Sequence, residues 1–323
     1  MEDPSNVGEA RRFALNLCAE LDFDETRKGR VGIIVNELGN NLIRYAQKGE
    51  LILRGLDSEN KLGVEILSLD RGPGLDEDLV MRDGFSTGST PGTGLGSVRR
   101  QSDEFDIYSS RPAGSILMSR VYATDAAAKL KVKFDIGAIS VPVKNETLCG
   151  DSWTCRITGD QLETLMVDGL GHGPSAHKAA EEAVPAFQST PNTPPDQLLQ
   201  IVHNRLRSTR GGAVFLLQAG TSKIDYVGVG NIRALVQYPQ TTKSLISHNG
   251  TAGLQIRHSN ASSQAWEKPG QLILHSDGLN TRWDLAAYPG IFYRNPSLIA
   301  GVLYRDHNRG NDDATIVVIR SLQ

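Results

Sequence analysis

Four aspartates in the second half of this chain lie in short motifs flanked by glycine, each next to an apolar, strand-like run. The motifs read Cys-Gly-Asp-Ser, Val-Asp-Gly-Leu-Gly-His-Gly, His-Ser-Asp-Gly-Leu and Asn-Asp-Asp-Ala-Thr, and their acidic residues are Asp151, Asp168, Asp277 and Asp312. Carboxylates that meet in a folded protein repel one another unless a cation lies between them. Hard divalent cations such as Mg²⁺ and Mn²⁺ prefer oxygen ligands. The pattern therefore predicts a fold whose strand ends converge on one metal site.

Any one of these aspartates, taken alone, would be read as a solvated turn residue. The ordered series of motifs favours the metal site instead. A glycine directly follows Asp168 and Asp277, which permits a tight turn and a close approach of the backbone. The main-chain carbonyl of Gly169 is therefore a further candidate ligand.

From about residue 130 to residue 322, the chain resembles the metal-dependent protein phosphatase (PPM) family, specifically its bacterial SpoIIE-type branch. The matching motifs are Cys149-Gly150-Asp151-Ser152, Asp168-Gly169-Leu170-Gly171-His172-Gly173, Gly230-Asn231, Ser276-Asp277-Gly278 and Asp312-Asp313-Ala314-Thr315. The resemblance implies a layered αββα sandwich that hydrolyses phosphoserine or phosphothreonine. Asp151 and Asp168 would share two Mn²⁺ or Mg²⁺ ions, with Asp277, Asp312 and the Gly169 carbonyl completing the sites. The cations would activate a water for attack on phosphorus.

Several roles in this half stay open. His172 is either a general acid for the leaving serine oxygen or a residue that orients the metal-bearing turn. Asn231 either hydrogen-bonds near the site or is an ordinary turn residue. Alternation along a strand sends only one of Asp312 and Asp313 inward, and the family pattern favours Asp312. Eukaryotic-type relatives also carry a phosphate-binding arginine near the domain start, which Phe134–Lys144 does not provide.

The first half of the chain contains a second set of polar residues, placed at helical spacing. From Arg27 to Gln47, apolar residues recur every three or four positions, which predicts an amphipathic helix. Glu37 and Asn41 are four positions apart, so they share one face of this helix and would point together at a ligand. Gly39 lies between them at a cost of about 1 kcal/mol relative to alanine, which a closely packed neighbour would explain.

Two glycine motifs follow this helix. A strand-like run ends in Asp70-Arg71-Gly72-Pro73-Gly74, and Gly92-Thr93-Gly94-Leu95-Gly96 precedes a helical run. Glycines that open a helix leave its first N–H groups free for phosphate. Either motif alone would be weak evidence for a ligand. The first motif lacks the Gly-x-Gly-x-x-Gly pattern and the following helix of a Rossmann dinucleotide site.

Over roughly residues 5 to 122, the ordered motifs resemble the GHKL ATP-binding fold of gyrase, Hsp90, histidine kinases and anti-sigma-factor serine kinases. The resemblance implies a two-layer α/β sandwich. Asp70 would accept a hydrogen bond from the adenine amino group, Asn41 would bind Mg²⁺ on the phosphates of ATP, and Glu37 would be the general base. Glycines would form the rest of the nucleotide site, the last three cradling phosphate: Gly72, Gly74, Gly92, Gly94 and Gly96.

Within this superfamily, Leu95–Phe105 looks closest to the small switch kinases of bacterial stress-response signalling. Those kinases phosphorylate serine or threonine on STAS-domain proteins. The sequence before this domain has no His-containing dimerisation helix, which counts against a phosphorelay histidine kinase. The resemblance therefore implies a STAS-domain protein as the partner, with a sigma factor or a stressosome component as a second class.

Length and composition agree with a two-domain regulator. The 323 residues predict two domains of ordinary size, which we place at 1–122 and 131–323, with a linker at 123–130. A net charge of −3 argues against nucleic acid as a partner. The three cysteines form no disulfide framework, and no apolar run is long enough to span a membrane. The first ten residues do not resemble a secretory signal. We therefore expect a cytoplasmic protein without a membrane partner.

Together the two halves suggest a partner-switching regulator that binds ATP through a serine-kinase-like domain and dephosphorylates a partner through a two-metal phosphatase domain. The alternative is a binding regulator, in which the first domain only senses ATP or sequesters a sigma factor and only the phosphatase turns over. A scaffold with two degenerate sites is the least favoured hypothesis, because the acidic and glycine motifs are intact.

Overall fold

The computed structural model describes residues 1, 3–46, 48–57, 61–75, 94–257 and 260–322. Their packing separates two compact units. The first unit contains Met1–Val132 together with Tyr293–Arg305, and the second contains Lys133–Phe292 together with Asp306–Gln323. A segment from late in the chain therefore completes the first unit.

The helices α1 (Pro4–Glu20) and α2 (Glu25–Tyr45) open the first unit. Asp24 caps α2 by accepting a hydrogen bond from the N–H of Arg27 at 2.7 Å, so the helix begins at Glu25. Gly39 faces α1, and a Cβ atom at this position would lie 3.0 Å from a methyl carbon of Val7. The unfavourable glycine of α2 is thus explained by the close packing of the two helices.

A four-stranded antiparallel sheet forms the second layer of this unit, in the order β1-β2-β4-β3. Its strands are β1 (Glu50–Leu56), β2 (Gly63–Leu69), β3 (Glu104–Ser110) and β4 (Gly114–Tyr122). Alternate residues such as Val64, Ile66 and Leu117 form a core with α1, α2 and the short helix α3 (Gly94–Gln101). The helix α4 (Asp125–Lys129) follows β4.

The second unit contains two five-stranded sheets and a small two-stranded one. The first large sheet has the order β11-β10-β15-β16-β5 and consists of β5 (Phe134–Val141), β10 (Arg233–Gln237), β11 (Thr242–Leu245), β15 (Gln271–His275) and β16 (Ala314–Ser321). The other has the order β14-β9-β8-β7-β6 and consists of β6 (Asp151–Thr158), β7 (Gln161–Gly169), β8 (Gly212–Ala219), β9 (Lys223–Val229) and β14 (Ser262–Ala265). The small sheet pairs β12 (Gly250–Thr251) with β13 (Gln255–Ile256).

Alternation along β7 creates two cores in this unit. Leu162 and Met166 pack with residues of both large sheets, which places one core between the sheets. Leu165 and Val167 point the other way and pack on the helices α5 (Pro174–Gln188) and α6 (Pro195–Leu206). Strands do lie beside the acidic motifs, as the apolar runs predicted.

The last helix, α7 (Pro296–His307), was not predicted from the sequence pattern. Every residue from Pro296 to Arg305 is buried, as its nearly continuous apolar sequence requires. These residues belong to the first unit and cover the face of its sheet opposite α2. In the part of the chain that the structure describes, no helix is long and apolar enough to cross a membrane.

Candidate functional site

The helix α2 and the start of α3 bring together three predicted residues of the nucleotide site. Glu37 and Asn41 lie one turn apart on α2, and both face Gly94. A Cβ atom at Gly94 would lie 3.1 Å from Oε2 of Glu37 and 3.9 Å from Nδ2 of Asn41. The N-terminal turn of α3 therefore approaches the carboxylate and the amide on α2. Gly96 lies in the same turn, whereas the predicted Gly92 falls outside the described residues.

Asp70 lies directly after β2, where the chain turns at Gly72 and Gly74. The N–H of Gly72 donates to Oδ1 of Asp70 at 2.6 Å. A Cβ atom at Gly72 would lie 3.0 Å from the carbonyl oxygen of Tyr45, so this turn packs against the end of α2. Partial burial raises the pKa of Asp70, while hydrogen bonds from Gly72 and Ser115 oppose the rise. The same helix thus supports both predicted parts of the nucleotide site.

Asp151 and Asp168 form a directly facing pair on the neighbouring antiparallel strands β6 and β7. Asp151 is 5% exposed. One carboxylate oxygen of each, Oδ2, is buried and has no hydrogen-bond partner among the residues that the structure describes. Buried carboxylate oxygens without partners are costly unless a cation or a proton binds them. This orphaned pair fits a divalent cation.

Burial raises the pKa of both carboxyls well above the ordinary value for aspartate. For Asp168, the negative charges of Asp151, Asp277, Asp312 and Asp313 raise the pKa further. For Asp151, hydrogen bonds from Ser276 and Thr315 oppose the rise, whereas the charges of Asp313 and Asp312 add to it. The negative charges of four neighbouring aspartates therefore act together on Asp168.

Asp277 and Asp312 reach this field from the ends of β15 and β16, which are paired neighbours in one sheet. Asn231 donates from Nδ2 to Oδ2 of Asp277 at 2.7 Å. It therefore contacts a predicted metal ligand, which is one of the two roles that the sequence left open for it. Burial and the charge of Asp277 raise the pKa of Asp312, whereas a hydrogen bond from Asp313 lowers it. No group of three His, Cys, Asp or Glu side chains within the described residues closes on a common metal position.

Asp313 is buried, and both of its carboxylate oxygens accept hydrogen bonds from main-chain N–H groups. Its Oδ1 accepts from the N–H of Val143 and its Oδ2 from the N–H of Gly150, both at 2.7 Å. Gly150 immediately precedes Asp151, so Asp313 fixes the backbone that presents a predicted ligand. Asp312 is less buried, and its Oδ1 accepts from the N–H of Asp313 at 2.9 Å.

The turn after Asp168 is tightly packed. A Cβ atom at Gly169 would lie 2.3 Å from the carbonyl oxygen of Ala176, so no larger residue fits between β7 and α5. His172, further along this turn, pairs with Oε1 of Glu146 at 3.0 Å. Sequence reasoning did not single out Glu146. It lies shortly before the Cys-Gly-Asp motif, and the residues around it form no recognisable motif.

Arg210 is a second residue that sequence reasoning missed. It is exposed, and its Nη1 would lie 3.5 Å from a Cβ atom at Gly171, in the turn that follows Asp168. The N–H of Leu170 donates to the carbonyl of Gly211 at 3.0 Å, which holds the loop of Arg210 against that turn. Leu170 and Leu254 are exposed beside it, and Cγ of Leu254 is 3.4 Å from a Cβ atom at Gly211. An arginine and two exposed leucines thus lie beside the turn that follows Asp168.

A cysteine nucleophile is not available in this motif. Burial, with the charge of Asp151, raises the pKa of Cys149 to about 12. The thiolate form that attacks electrophiles is therefore scarce near neutral pH.

Residues 1–120 match the family model of the histidine kinase-like ATPase domain. The serine/threonine-protein kinase RsbT of Bacillus subtilis is 36% identical over 111 residues, which cover 34% of this chain and 84% of RsbT. The phosphoserine phosphatase RsbX of the same organism is 21% identical over 140 residues, which cover 42% of this chain and 70% of RsbX.

Two solved structures share the fold of part of this chain. One, from work on the bacterial stressosome as a modular system adapted to control secondary messenger signaling, is 24% identical. It has a TM-score of 0.54 and covers 58% of this chain and 100% of its own. The other is RsbX in complex with magnesium, which is 17% identical, has a TM-score of 0.53 and covers 60% of this chain and 98% of its own. These matches confirm the predicted pairing of a GHKL-type ATPase domain with a PPM-type phosphatase domain.

Proposed function

The chain belongs to the family of the serine/threonine kinase RsbT and carries a PPM-type phosphatase domain behind its ATPase domain; from this we propose that it both phosphorylates and dephosphorylates a STAS-domain partner. RsbT and RsbX are separate proteins in Bacillus subtilis. Here both types of domain lie in one chain. The partner's serine or threonine phosphorylation would then depend on the balance of two activities that always occur at equal concentration.

The observation that carries the phosphatase assignment is the facing pair of Asp151 and Asp168, each with a buried and unpartnered Oδ2. A pair of bound Mn²⁺ or Mg²⁺ ions would supply a water of lowered pKa for hydrolysis of the phosphoester. Asp151 and Asp168 would bind both ions, while Asp277 and Asp312 would each bind from a flank. Asn231 holds the carboxylate of Asp277 in place, and Asp313 holds the backbone before Asp151.

Arg210 gives the site a means of binding the substrate's phosphate. The guanidinium group offers five N–H donors in a fixed geometry that suits phosphate oxygens. Phe134–Lys144 contains no arginine, so the phosphate-binding arginine of eukaryotic-type relatives has no counterpart there. We assign its role to Arg210, which approaches the turn of Gly171 from the loop before β8. The exposed Leu170 and Leu254 would contact the protein part of the substrate.

The kinase assignment depends on Glu37 and Asn41, which both face Gly94. Bound Mg²⁺·ATP would supply the phosphoryl group, and Asn41 would bind its Mg²⁺. Glu37 would accept the proton of the attacking serine or threonine hydroxyl. Asp70 would select adenine by accepting a hydrogen bond from its amino group.

Two reactions on the full-length protein test this proposal separately. With γ-phosphate-labelled ATP, Mg²⁺ and candidate STAS-domain proteins, label should pass to a serine or threonine of one candidate. The labelled partner, repurified and mixed with the chain and Mn²⁺, should then lose inorganic phosphate. Glu37→Gln should abolish only the first reaction, and Asp168→Asn only the second. Glu25→Gln is the matched control on α2, because Glu25 is exposed and pairs only locally with Lys28.

The binding regulator is the competing function. It predicts ATP binding without label transfer to any candidate, together with unchanged phosphatase turnover. That combination of results would restrict the catalytic assignment to the second domain.

A further inference from the structure

The helix α7 is part of the first unit, although it lies in the sequence between the third and fourth aspartate motifs of the phosphatase domain. RsbT aligns with 34% of this chain, and the matching family model ends at residue 120. The elements of a GHKL-type domain are therefore present before α7 begins. The helix α7 is therefore an addition to this domain, and it covers the domain's sheet.

The N-terminal end of α7 caps a buried ion pair on the sheet. Ser297 donates from Oγ to Oε2 of Glu65 at 2.6 Å, and Arg120 donates to Oγ of Ser297 at 3.0 Å. Arg120 also donates to Oε2 of Glu65 at 2.7 Å. Burial alone would raise the pKa of Glu65, but Arg54 and Arg120 lower it below its ordinary value. This charge stays ionised and fully paired because α7 supplies one of its partners.

The middle of α7 lies directly on the sheet. A Cβ atom at Gly301 would be 3.0 Å from Cγ2 of Ile116 and 3.7 Å from Cδ2 of Leu69. The hydroxyl of Tyr304 donates to Oε2 of Glu50 at 3.0 Å. The helix therefore runs over β4 and β2 toward the end of β2, where Asp70 follows Leu69.

The C-terminal end of α7 binds that strand end from both sides. Arg305 is buried, and its Nη1 donates to the main-chain carbonyl of Asp70 at 3.2 Å across 235 positions of sequence. The guanidinium group of Arg71 donates in return to the carbonyl of Arg305. That carbonyl lies in the last turn of α7, where a carbonyl has no i+4 N–H donor within the helix, and Arg71 supplies the donor instead. One bond therefore holds the peptide group that joins Asp70 to Arg71, and the other anchors the side chain of Arg71 to the end of α7.

We propose that Arg305 is a positioning residue of the nucleotide site, which holds Asp70 in place for adenine and couples nucleotide occupancy to the phosphatase domain through α7. This inference rests on the proposed role of Asp70. Because equilibrium coupling is reciprocal, a ligand that requires this placement of Asp70 also stabilises the docked position of α7.

Directly after α7, the chain enters the second unit and leads to the acidic motif that contains Asp312. Within that unit, the N–H of Arg309 donates to the carbonyl of Gly278 at 2.9 Å, and its Nη1 donates to the carbonyl of Asp277 at 3.0 Å. Asn308 forms a bridge with Leu279. Arg305 and Arg309 are separated by one helical turn of sequence. The stretch from Arg305 to Arg309 thus bonds Asp70 within the first unit and Asp277 within the second.

The test measures Mg²⁺·ADP binding by calorimetry on the full-length protein. Arg305→Ala should weaken binding about tenfold, the effect of losing one charge-assisted hydrogen bond. Arg294→Ala is the matched control, since Arg294 lies in the same segment and pairs with Asp106 at 3.3 Å, away from Asp70. It should change the affinity by less than about twofold. If Arg305→Ala does not fold, Arg305→Met decides, because methionine fills the space but has no N–H donor: weaker ADP binding supports the proposal, and wild-type affinity overturns it.

A second readout separates positioning from mere structural support. The rate of Mn²⁺-dependent p-nitrophenyl phosphate hydrolysis is measured with and without saturating ADP. For the wild type and for Arg294→Ala, the rate with ADP should differ from the rate without ADP. For Arg305→Ala, the two rates should be more nearly equal. A wild-type ratio of one overturns the coupling.

Asp70→Asn distinguishes this inference from the proposed function. If Asp70→Asn weakens ADP binding and Arg305→Ala does not, the inference alone fails. If neither variant changes ADP binding, the adenine site itself is misplaced and both fail.

Discussion

Asn231 donates a hydrogen bond from Nδ2 to Oδ2 of Asp277 at 2.7 Å. The two residues follow β9 and β15, which belong to different sheets of the second unit. The bond leaves the other oxygen of Asp277 for a cation and fixes the plane of the carboxylate. An amide suits this position because it donates without adding a further negative charge to the field around Asp168.

Asn231→Ala should weaken Mn²⁺ binding by about tenfold, because partners that orient a metal ligand typically contribute this much to affinity. The Mn²⁺ concentration for half-maximal phosphatase activity checks this value. Asn204→Ala, on the exposed side of α6, should leave it unchanged. An unaltered Mn²⁺ requirement in Asn231→Ala would mean that Asp277 does not bind the metal.

The stability of the metal-free protein should fall as the pH rises. Burial raises the folded-state pKa of Asp151 and Asp168 above the value of about 3.9 in an unfolded chain. Above about pH 4, the folded state therefore binds more protons than the unfolded state. The free energy of unfolding falls as the pH rises from there to the raised pKa values.

We expect the melting temperature in EDTA to drop by roughly 5 °C or more from about pH 5.5 to about pH 8. Asp168→Asn removes one of these titrating groups, so its melting temperature should depend less on pH. A melting temperature of the wild type that rises over this range would contradict the buried carboxylate pair.

Arg210→Ala should raise the KM for a phosphorylated STAS-domain protein by about tenfold with a smaller change in kcat, since a charged hydrogen-bond donor to the bound phosphate is lost. Arg207→Ala provides the matched control, because Arg207 is an exposed arginine at the end of α6. Steady-state kinetics on both variants compare the two positions. Equal KM values for Arg210→Ala and the wild type would remove Arg210 from the substrate site.

Asn41→Ala should abolish measurable Mg²⁺·ATP binding, because its side chain faces the start of α3 together with Glu37. Asn40→Ala changes the neighbouring residue, which is exposed, and should bind Mg²⁺·ATP like the wild type. Calorimetry with a non-hydrolysable ATP analogue makes the comparison. Wild-type affinity in Asn41→Ala would place the cation elsewhere.

Patterns within a few residues predicted much of this molecule. Helical spacing placed Glu37 and Asn41 on one face of α2, and both do face Gly94. The acidic motifs predicted one metal site; Asp151 faces Asp168, and the charges of Asp277 and Asp312 act on Asp168. Because no three such side chains among the described residues close on a common position, the four-ligand site stays a prediction. Gly39 was unfavourable in its helix, and the reason is the methyl group of Val7 on α1.

Long-range packing explains what the patterns did not predict. The buried sequence of α7 indicates that the helix is covered, but does not indicate which sheet covers it. Its contacts to Glu65 and Asp70 span more than two hundred positions. Arg210 and Glu146 lie in no motif, and only the pairing of loops brings them to the turn after Asp168. The family pattern favoured Asp312 over Asp313 as the ligand, but it did not predict the role of Asp313. Both oxygens of Asp313 accept hydrogen bonds from the N–H groups of Val143 and Gly150.

The release of phosphate from a phosphoserine STAS-domain protein tests the central claim most directly. We predict Mn²⁺-dependent release by the wild type and a loss of about a thousandfold or more in Asp168→Asn, because the carboxylate shared by the metal sites is removed. Asp160→Asn, at an exposed turn, should retain wild-type turnover. Undiminished Mn²⁺-dependent release by a folded Asp168→Asn protein would contradict the account.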